Sequence, residues 1–328
     1  MSSKETPALP EEAPKLSKKS PAVSEETDIT FTLDEVTSKL TQVNDKIGQD
    51  LLDQGTRMKM YEHAVDLCIP NDHGYMVRLD GNRFSAFTAK LKQPFDTNFT
   101  KAMVATARDL LMTYHASTVV THSDEISLYF PPNHKLFSNR AMKVVSELAS
   151  YCALRFNYYL LTFITDSGDV YDEKLMMKLK DPRQNFDARI FTVPQERQYE
   201  FVNHLMWRSR DCERNAISKF GEMHFSHKQL HKKNGDEKIQ MLVTKGVNWD
   251  DIPAHLKYGI VCKRVLVDHE TPEGQKYQRV NTVYQTFKVK FSEDKSGKDW
   301  LDFLFSKYWV DVPNSVEVHE VKLDELHN

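Results

Sequence analysis

The sequence predicts an α+β protein in which antiparallel strands are flanked by helices. Two observations carry this prediction. Strand and helix patterns alternate through the centre of the chain, and two pairs of β-rich segments are each joined by a short polar turn, as in antiparallel hairpins. With 328 residues, of which 40% are hydrophobic and 28% charged, the chain has enough apolar surface for a substantial core.

The central region provides the elements in order. A strand precedes Asp80-Gly81, a helix follows, and a hairpin surrounds the polar segment His122–Glu125. A long helix, a second strand and a helix beginning at Pro194 come next, and Gly221 is expected to end that last helix. The predicted ranges are 75–79, 99–114, 117–121 with 126–130, 138–161, 188–193 and 194–220.

The outer regions differ in composition from this centre. Residues 1–28 hold four of the thirteen prolines and no aromatic residue, which predicts a disordered tail. Residues 29–55 are expected to form an accessory helix that begins at the capping box Thr32–Glu35 and ends near Gly55. We assign 56–220 to a catalytic domain and 221–328 to a C-terminal region. That region has a β-hairpin (260–267 with 280–291, turn at 271–274) and a frayed acidic end of fifteen residues.

Composition excludes several classes of protein. Eleven glycines are present where average usage would give about 23, and neither a P-loop nor a dinucleotide-binding glycine motif occurs. The four cysteines are widely spaced, which argues against a disulfide framework or a zinc site. The longest apolar run, 158–164, is much shorter than the ~20 residues of a membrane span. We expect a cytoplasmic protein that does not associate with membranes. A mitochondrial location is left open.

Three carboxylates could carry chemistry. Asp80 follows a predicted strand, and Asp124 and Glu125 occupy the expected tip of the hairpin. If the hairpin pairs with the first strand, all three meet at one end of the sheet, where their oxygens would suit Mg²⁺. By spacing alone, solvated turns explain the same residues more often.

A basic segment lies further along the chain. Between 207 and 233 there are seven Arg or Lys against three Asp or Glu, although the whole chain has a net charge of −3. His227 and His231 stand four residues apart, but no third metal ligand accompanies them. Phosphate contact or plain surface is therefore the preferred interpretation.

Several of these segments resemble the tRNA-histidine guanylyltransferase superfamily. Arg78-Leu79-Asp80-Gly81 with Phe84 is similar to its R-[LI]-D-G-x-x-F signature, and further blocks follow in the same order between residues 57 and 264. They are Pro94–Asp96, Ser123–Leu128, Phe186–Arg189, Trp207-Arg208, His224–His231 and Lys245–Trp249. The Arg214-Asn215 pair and the block 224–231 resemble the guanylyltransferase-like branch of the superfamily.

The resemblance implies a palm-type domain, like that of polymerases and cyclases, that adds nucleotides in the 3′–5′ direction to the 5′ end of tRNA or related RNA after activation with ATP. It implies that Asp80, Asp124 and the Gly81 carbonyl hold two Mg²⁺ ions and that Glu125 supports catalysis. ATP and GTP or another NTP would be substrates, and a homotetramer is expected. Nucleotide contacts are implied for Asp80, Gly81, Asn82, Arg83, Phe84, Ser85, Ser123 and Asp124, and RNA contacts for Arg189, Arg208, Arg214, Asn215, His227, Lys228 and His231.

Three positions depart from the family pattern. The family usually has Arg or Lys at position 82, His at position 85 and Lys at position 93, where this chain has Asn82, Ser85 and Gln93. Each exchange removes a potential donor to phosphate or base. The carboxylates are intact. An active 3′–5′ polymerase is therefore the leading hypothesis, with a non-catalytic RNA-binding relative as the alternative. A nucleotide cyclase fits the carboxylates but not the downstream blocks.

Overall fold

The computed structural model describes residues 37–43, 45, 53–289, 297–312 and 317–324. The chain divides into two compact units, 1–65 and 66–328. In the first unit, residues 37–43 and 45 are helical, and helix α1 spans Gln54–Ala64. Asp53 caps α1 by accepting the Thr56 N–H at 3.1 Å, so Gly55 lies in the first turn of this helix. Residues 46–52, where the expected accessory helix would end, lie outside the described residues. The predicted cap at Thr32 and the tail 1–28 lie outside the described residues.

The second unit is built on a seven-stranded sheet with the order β4-β1-β3-β2-β5-β6-β7. Every neighbouring pair of strands is antiparallel. The strands are β1 (Tyr75–Gly81), β2 (Thr118–His122), β3 (Glu125–Phe130), β4 (Phe186–Thr192), β5 (Ile260–Glu270), β6 (Lys276–Thr286) and β7 (His319–Glu320). Both predicted hairpins are present, as the pairs β2–β3 and β5–β6.

Helices cover both faces of this sheet. They are α2 (Phe84–Thr88), α3 (Thr97–Tyr114), α4 (Ala141–Asp166), α5 (Glu173–Lys180), α6 (Tyr199–His224), α7 (His227–Leu230), α8 (Gly235–Val243), α9 (Ala254–Tyr258) and α10 (Lys298–Phe305). Short 3₁₀ turns occur at Leu136–Asn139, Gln195–Arg197 and Trp249–Asp251. In the part of the chain that the structure describes, no helix combines the length and the apolar character that crossing a bilayer requires.

Alternation along the strands separates two cores. In β1, Tyr75, Val77 and Leu79 join the larger cluster with α3 and α4. Met76 joins the second cluster, with α6 and α10. Because side chains on a strand alternate between faces, Arg78 and Asp80 share the face of Met76 and point toward α6.

The α+β class is confirmed, and two local expectations are wrong. Gly221 lies inside α6 rather than at its end. A β-carbon there would come within 3.3 Å of Leu230, so the glycine lets the segment after α6 pack closely. The acidic end is not uniformly frayed, since His319 and Glu320 pair with β6. The sequence analysis did not predict helices α2, α5 and α7 to α10 or strand β7.

Candidate active site

Asp80 stands near the end of β1, at the rim of the sheet. The antiparallel register places it opposite Glu125 on β3 and opposite Asp187 on β4. Directly opposite residues share a face of the sheet, so carboxylates from three neighbouring strands gather at one position. The prediction that Asp80 and the hairpin carboxylates meet is confirmed.

Asp124 reaches the same rim through a tight turn. Ser123 and Asp124 form the two-residue connection between β2 and β3, and Ser123 adopts φ 48°, in the left-handed region. The Gly81 N–H donates a hydrogen bond of 3.0 Å to the Asp124 carbonyl oxygen, which fixes the turn against the end of β1. Glu125 is the first residue of β3 rather than part of the tip, because it pairs with His122.

The loop after Asp80 explains why glycine occupies position 81. A β-carbon at Gly81 would lie 2.5 Å from the ring of Phe84. Phe84 is buried among Phe99, Phe156 and Phe186, so its side chain belongs to the core and only its backbone is left to face a ligand.

The other predicted nucleotide contacts in this loop lie at the surface. Asn82, Arg83 and Ser85 are exposed. The Asn82 N–H donates to the Asn185 carbonyl at 2.9 Å, and Arg83 has φ 59° at the start of α2. The Ser123 side chain is exposed beside Asp124 and donates to its carboxylate at 3.1 Å.

Glu125 is enclosed by cationic and imidazole groups. Arg208 on α6 donates to its Oε1 from Nε at 2.8 Å and approaches its Oε2 with Nη2 at 2.6 Å. His122 Nε2 lies 3.2 Å from Oε1, and Arg78 Nε lies 3.8 Å from Oε2. Both carboxylate oxygens are therefore occupied within the protein. Glu125 holds the rim in place rather than presenting a free oxygen to a ligand.

The carboxylates differ in their electrostatics. Burial would raise the pKa of Glu125, but the hydrogen bonds and charges of His122 and Arg208 outweigh it and bring that pKa down to about 2. The pKa of Asp80 is raised by burial and by the negative charges of Asp124 and Glu125, and burial also raises the pKa of Asp124. Asp80 and Asp124 thus repel one another and would be stabilised by an added cation.

The donor set fits magnesium in part. Among the described residues no group of three or more His, Cys, Asp or Glu forms a complete metal cluster. Mg²⁺ commonly takes one or two carboxylates and completes its coordination with waters and substrate phosphates. Asp80, Asp124 and the Gly81 carbonyl are residues of that type, whereas a zinc-like cage is not formed by the described part of the chain.

These carboxylates border an open polar cavity of about 370 Å³, which we call the carboxylate cavity. Arg78 and Arg208 flank the ring of Trp207, at 5.8 and 4.5 Å from its centroid. Sequence reasoning missed Arg78, His122 and Asp187 as site residues, although the period-two pattern of the strands contained the signal. The cavity is lined by Arg78, Asp80, His122–Glu125, Trp207, Arg208, Asp211 and Asn215.

Two further cavities continue from the carboxylate cavity. A narrow one of about 90 Å³, the neck, shares His122, Ser123 and Asn215 with it. A wider one of about 560 Å³, the outer cavity, shares with the neck the segment 92–95 and His255. The neck therefore adjoins the carboxylate cavity on one side and the outer cavity on the other, and the series reaches the surface beside Phe95.

The expected RNA contacts divide into four groups. Arg208 is paired with Glu125 and Asp211 and has 12% of its side chain exposed, which leaves it little surface for an RNA. Arg189 is largely exposed and lies 3.9 Å from Asp80. Arg214 and Asn215 both donate to Asp211 on α6.

The fourth group lies on the short helix α7 and at its C-cap residue, His231. His227, Lys228 and His231 are exposed there, and none of the three lines the carboxylate cavity. Their position is compatible with contact to a large ligand beyond the cavity, and it separates them from the carboxylates.

Comparisons with known proteins identify the family to which this chain is similar. The family model described as Thg1, tRNAHis guanylyltransferase, matches residues 55–194. Protein R259 of Acanthamoeba polyphaga mimivirus, described as uncharacterized, is 33% identical and covers 78% of this chain and 90% of its own length. The tRNA(His) guanylyltransferase of Neurospora crassa is 28% identical over 63% of this chain and 71% of its own length.

Solved structures agree with these matches. A bacterial tRNA(His) guanylyltransferase (Thg1)-like protein in complex with ATP is 30% identical, covers 70% of this chain and 92% of its own, and superposes with a TM-score of 0.56. A bacterial Thg1-like protein in complex with GTP is 25% identical, covers 76% of this chain and 98% of its own, and gives a TM-score of 0.54. The chain described here is therefore a nucleotidyltransferase of the 3′–5′ kind, and it belongs to the tRNA(His) guanylyltransferase family.

Proposed function

We propose that this protein adds nucleotides to the 5′ end of tRNA or a related RNA, after activation of that end with ATP, and so repairs or edits 5′ ends. The observation that carries the proposal is the pair Asp80 and Asp124, held together by the Gly81–Asp124 hydrogen bond in an open polar cavity. Bacterial relatives in complex with ATP and with GTP support a triphosphate as the ligand of this site.

Asp80, Asp124 and the Gly81 carbonyl would hold two Mg²⁺ ions. Bound there, these ions would neutralise phosphate oxygens and stabilise the charge that develops during transfer. The two aspartates are suited to this role because each has a raised pKa from burial and Asp80 also from neighbouring negative charge, so a cation relieves an existing repulsion.

The reaction joins two substrates at this rim. The 3′-hydroxyl oxygen of the incoming nucleotide attacks the phosphorus at the activated 5′ end, and the phosphoanhydride bond to AMP or pyrophosphate breaks. The turn 123–124 and the loop after Gly81 orient the phosphates, with their backbone groups supplying hydrogen bonds. The Glu125–Arg208 pair keeps that turn in position against α6.

The RNA would reach the site from the side of the exposed basic residues. Arg189 lies beside Asp80 at the rim, and Lys228 lies on α7. Contacts of this kind position a phosphate backbone without reading its sequence. We also propose a homotetramer, which light scattering of the purified protein would test.

An extension assay tests the enzymatic proposal. Purified protein, Mg²⁺, ATP, the four NTPs and a panel of 5′-truncated tRNAs should yield products lengthened at the 5′ end. Asp124→Asn should lower the rate at least about 100-fold, since it removes a charge aimed at the reacting phosphates.

A matched variant controls for general effects of the substitution. Asp181→Asn removes an exposed carboxylate that pairs with Arg183 outside the cavities, and it should extend normally. Absence of extension on every tRNA, with RNA binding unchanged in Asp80→Ala, would replace the proposal with a non-catalytic RNA-binding role.

A further inference from the structure

The outer cavity has the size and lining of a site for a flat organic ring. Its volume is about 560 Å³, within the range of small-molecule sites. Phe95 and Phe220 lie on one side with their ring centroids 5.8 Å apart, and Pro253 and Leu256 also line the cavity. Walls of this kind suit a nucleobase, and the few polar groups among them decide which base is accepted.

Gln93 presents a defined hydrogen-bonding atom at the wall that the neck and the outer cavity share. Its Nε2 donates to the carbonyl oxygens of Thr88 at 2.8 Å and Leu91 at 3.1 Å. Only the amide nitrogen can satisfy two carbonyls, so this pattern fixes which way the amide is turned. The Oε1 atom accepts no hydrogen bond from any residue that the structure describes, and it remains as an acceptor.

His255 provides the second polar group. It lines both the neck and the outer cavity, and its ring makes no hydrogen bond with another residue in the described part of the chain. Burial lowers the pKa of His255 to about 4, so the ring is neutral near pH 7 and offers one donor and one acceptor.

The cation on this wall is already neutralised. Lys92 lines the outer cavity, and its Nζ lies 2.6 Å from the Asp169 carboxylate and over the ring of Tyr171. The groups that can contact a base therefore include the Gln93 acceptor, the neutral His255 ring and the hydroxyls of Thr97 and Thr100, of which Thr100 donates to the Asp96 carbonyl oxygen at 3.2 Å.

We propose that the outer cavity binds the base of an adenine nucleotide, with the 6-amino group donating to Gln93 Oε1 and a ring nitrogen accepting from His255. A 6-oxo purine would set its own carbonyl oxygen against Oε1 and leave two acceptors facing each other without a proton. This inference rests on the proposed function, because it assigns the base of a nucleotide that the carboxylate cavity would use.

Binding of ATP and of inosine triphosphate (ITP) tests this inference, since their bases differ only in the 6-substituent and the proton on N1. For the full-length protein with Mg²⁺, calorimetry should give a Kd for ATP about tenfold lower than for ITP, as expected for one lost hydrogen bond. In Gln93→Met the ratio should fall to about one. In Gln93→Lys, which places a donor there, ITP should bind as well as ATP or better.

Controls separate recognition from damage to the loop. Gln93→Lys can still donate to the Thr88 and Leu91 carbonyls, so it tests the inference even if Gln93→Met unfolds. Gln195→Met removes an amide whose hydrogen bonds within the described residues go to Asp72, and it should keep the wild-type ratio.

Two results would overturn the inference. One is equal affinity of the wild-type protein for ATP and ITP, and the other is a preference for ATP that persists in both Gln93 variants. If either is found while 5′ extension proceeds, only this inference fails. If the wild-type protein neither extends RNA nor binds a triphosphate, the proposed function fails as well.

Discussion

The two faces of the sheet bury different chemistry. Toward α3 and α4 the core is dominated by apolar side chains such as Leu79, Leu128 and Leu148, each fully buried. Toward α6 and α10 the sheet buries Met76 and Tyr129, but also Glu125 and Lys263. Buried ions contribute little net stability and cost much when unpaired, whereas apolar burial is favourable without any partner. The first face therefore stabilises the fold, and the second holds the charged groups of the candidate site in place.

The largest test of this contrast removes the partner of Glu125. Arg208→Leu leaves a buried carboxylate without its main cation, and we expect the free energy of unfolding to fall by about 3–5 kcal/mol in urea denaturation. Arg183→Leu removes an equally charged side chain that is exposed and paired with Asp181, and it should change stability by no more than about 0.5 kcal/mol. Equal effects of the two variants would contradict the proposed distinction.

A slightly smaller loss is expected on the apolar face. Leu128→Ala opens a cavity next to α3 and α4 and should cost about 2–5 kcal/mol. Because Leu128 does not line the carboxylate cavity, extension per folded molecule should stay at the wild-type level. Leu154→Ala, at a side chain that is 67% exposed, is the control and should be nearly neutral. A selective loss of activity in Leu128→Ala would show that the two faces are coupled.

Acid should lower the free energy of unfolding in two pH ranges, through groups on the face of the sheet toward α6 and α10. Burial lowers the pKa of His204 from 6.5 to about 4, so the unfolded chain takes up its proton first and stability falls as the pH drops between these values. Glu125 has a lowered pKa of about 2, so its contribution is complete above pH 4.5 and is lost as the pH falls toward 2.

His204→Gln keeps a partner for the Tyr129 hydroxyl, which lies 3.0 Å from His204 Nδ1, and it removes the His204 contribution to the first range. Burial also lowers the pKa of His255 to about 4 and lowers the pKa of His134, so the decline in stability between pH 6.5 and 4 should become shallower rather than disappear, with a gain on the order of 2 kcal/mol at pH 4 over the wild type. A decline as steep as that of the wild type would exclude His204 as one of its causes.

The smallest expected effect has the opposite sign. Because the pKa of Asp124 is raised, its charge opposes folding near neutral pH. In the absence of Mg²⁺, Asp124→Asn should therefore raise Tm and increase the free energy of unfolding by less than about 2 kcal/mol. The same variant should lose extension activity. Added Mg²⁺ should raise Tm in the wild type more than in this variant. Glu125→Gln should lower Tm instead, and a matching increase there would show that Glu125 is not held by Arg208.

The sequence predicts part of this arrangement well. Asp80 at a strand end and Asp124 at a hairpin tip could be placed together because strand pairing follows from local patterns and the turn is short. The same patterns located β1 to β5 to within a few residues. Gly221 was misread because a glycine inside a helix, selected for close packing against Leu230, looks the same in sequence as a glycine that ends one.

The contacts of Glu125 with Arg208, His122 and Arg78 could not be predicted in this way. Arg208 is 83 residues further along the chain, and its contact depends on how α6 crosses the sheet. The outer cavity could not be predicted either, since Phe95 and His255 come together only through the packing of separate segments. Long-range pairings of this kind leave no periodic signal in one sequence. The expected Arg208 contact with RNA followed from the family resemblance and the basic segment, neither of which indicates that its guanidinium is paired with Glu125.

The contact between Glu125 and Arg208 also bears on where the polypeptide can be divided. The family match ends at residue 194, before α6 begins at Tyr199. A recombinant fragment limited to that match would contain both aspartates and Glu125 but not the guanidinium that neutralises it. Lys263 extends the same dependence, since its ammonium group donates to the Thr118 hydroxyl inside the match at 2.8 Å and to the carbonyl oxygen of Phe303 outside it. The end of the family-model match is therefore not a folding boundary, and fragment complementation would require the chain after residue 194, with strand β7 included, to be supplied in trans.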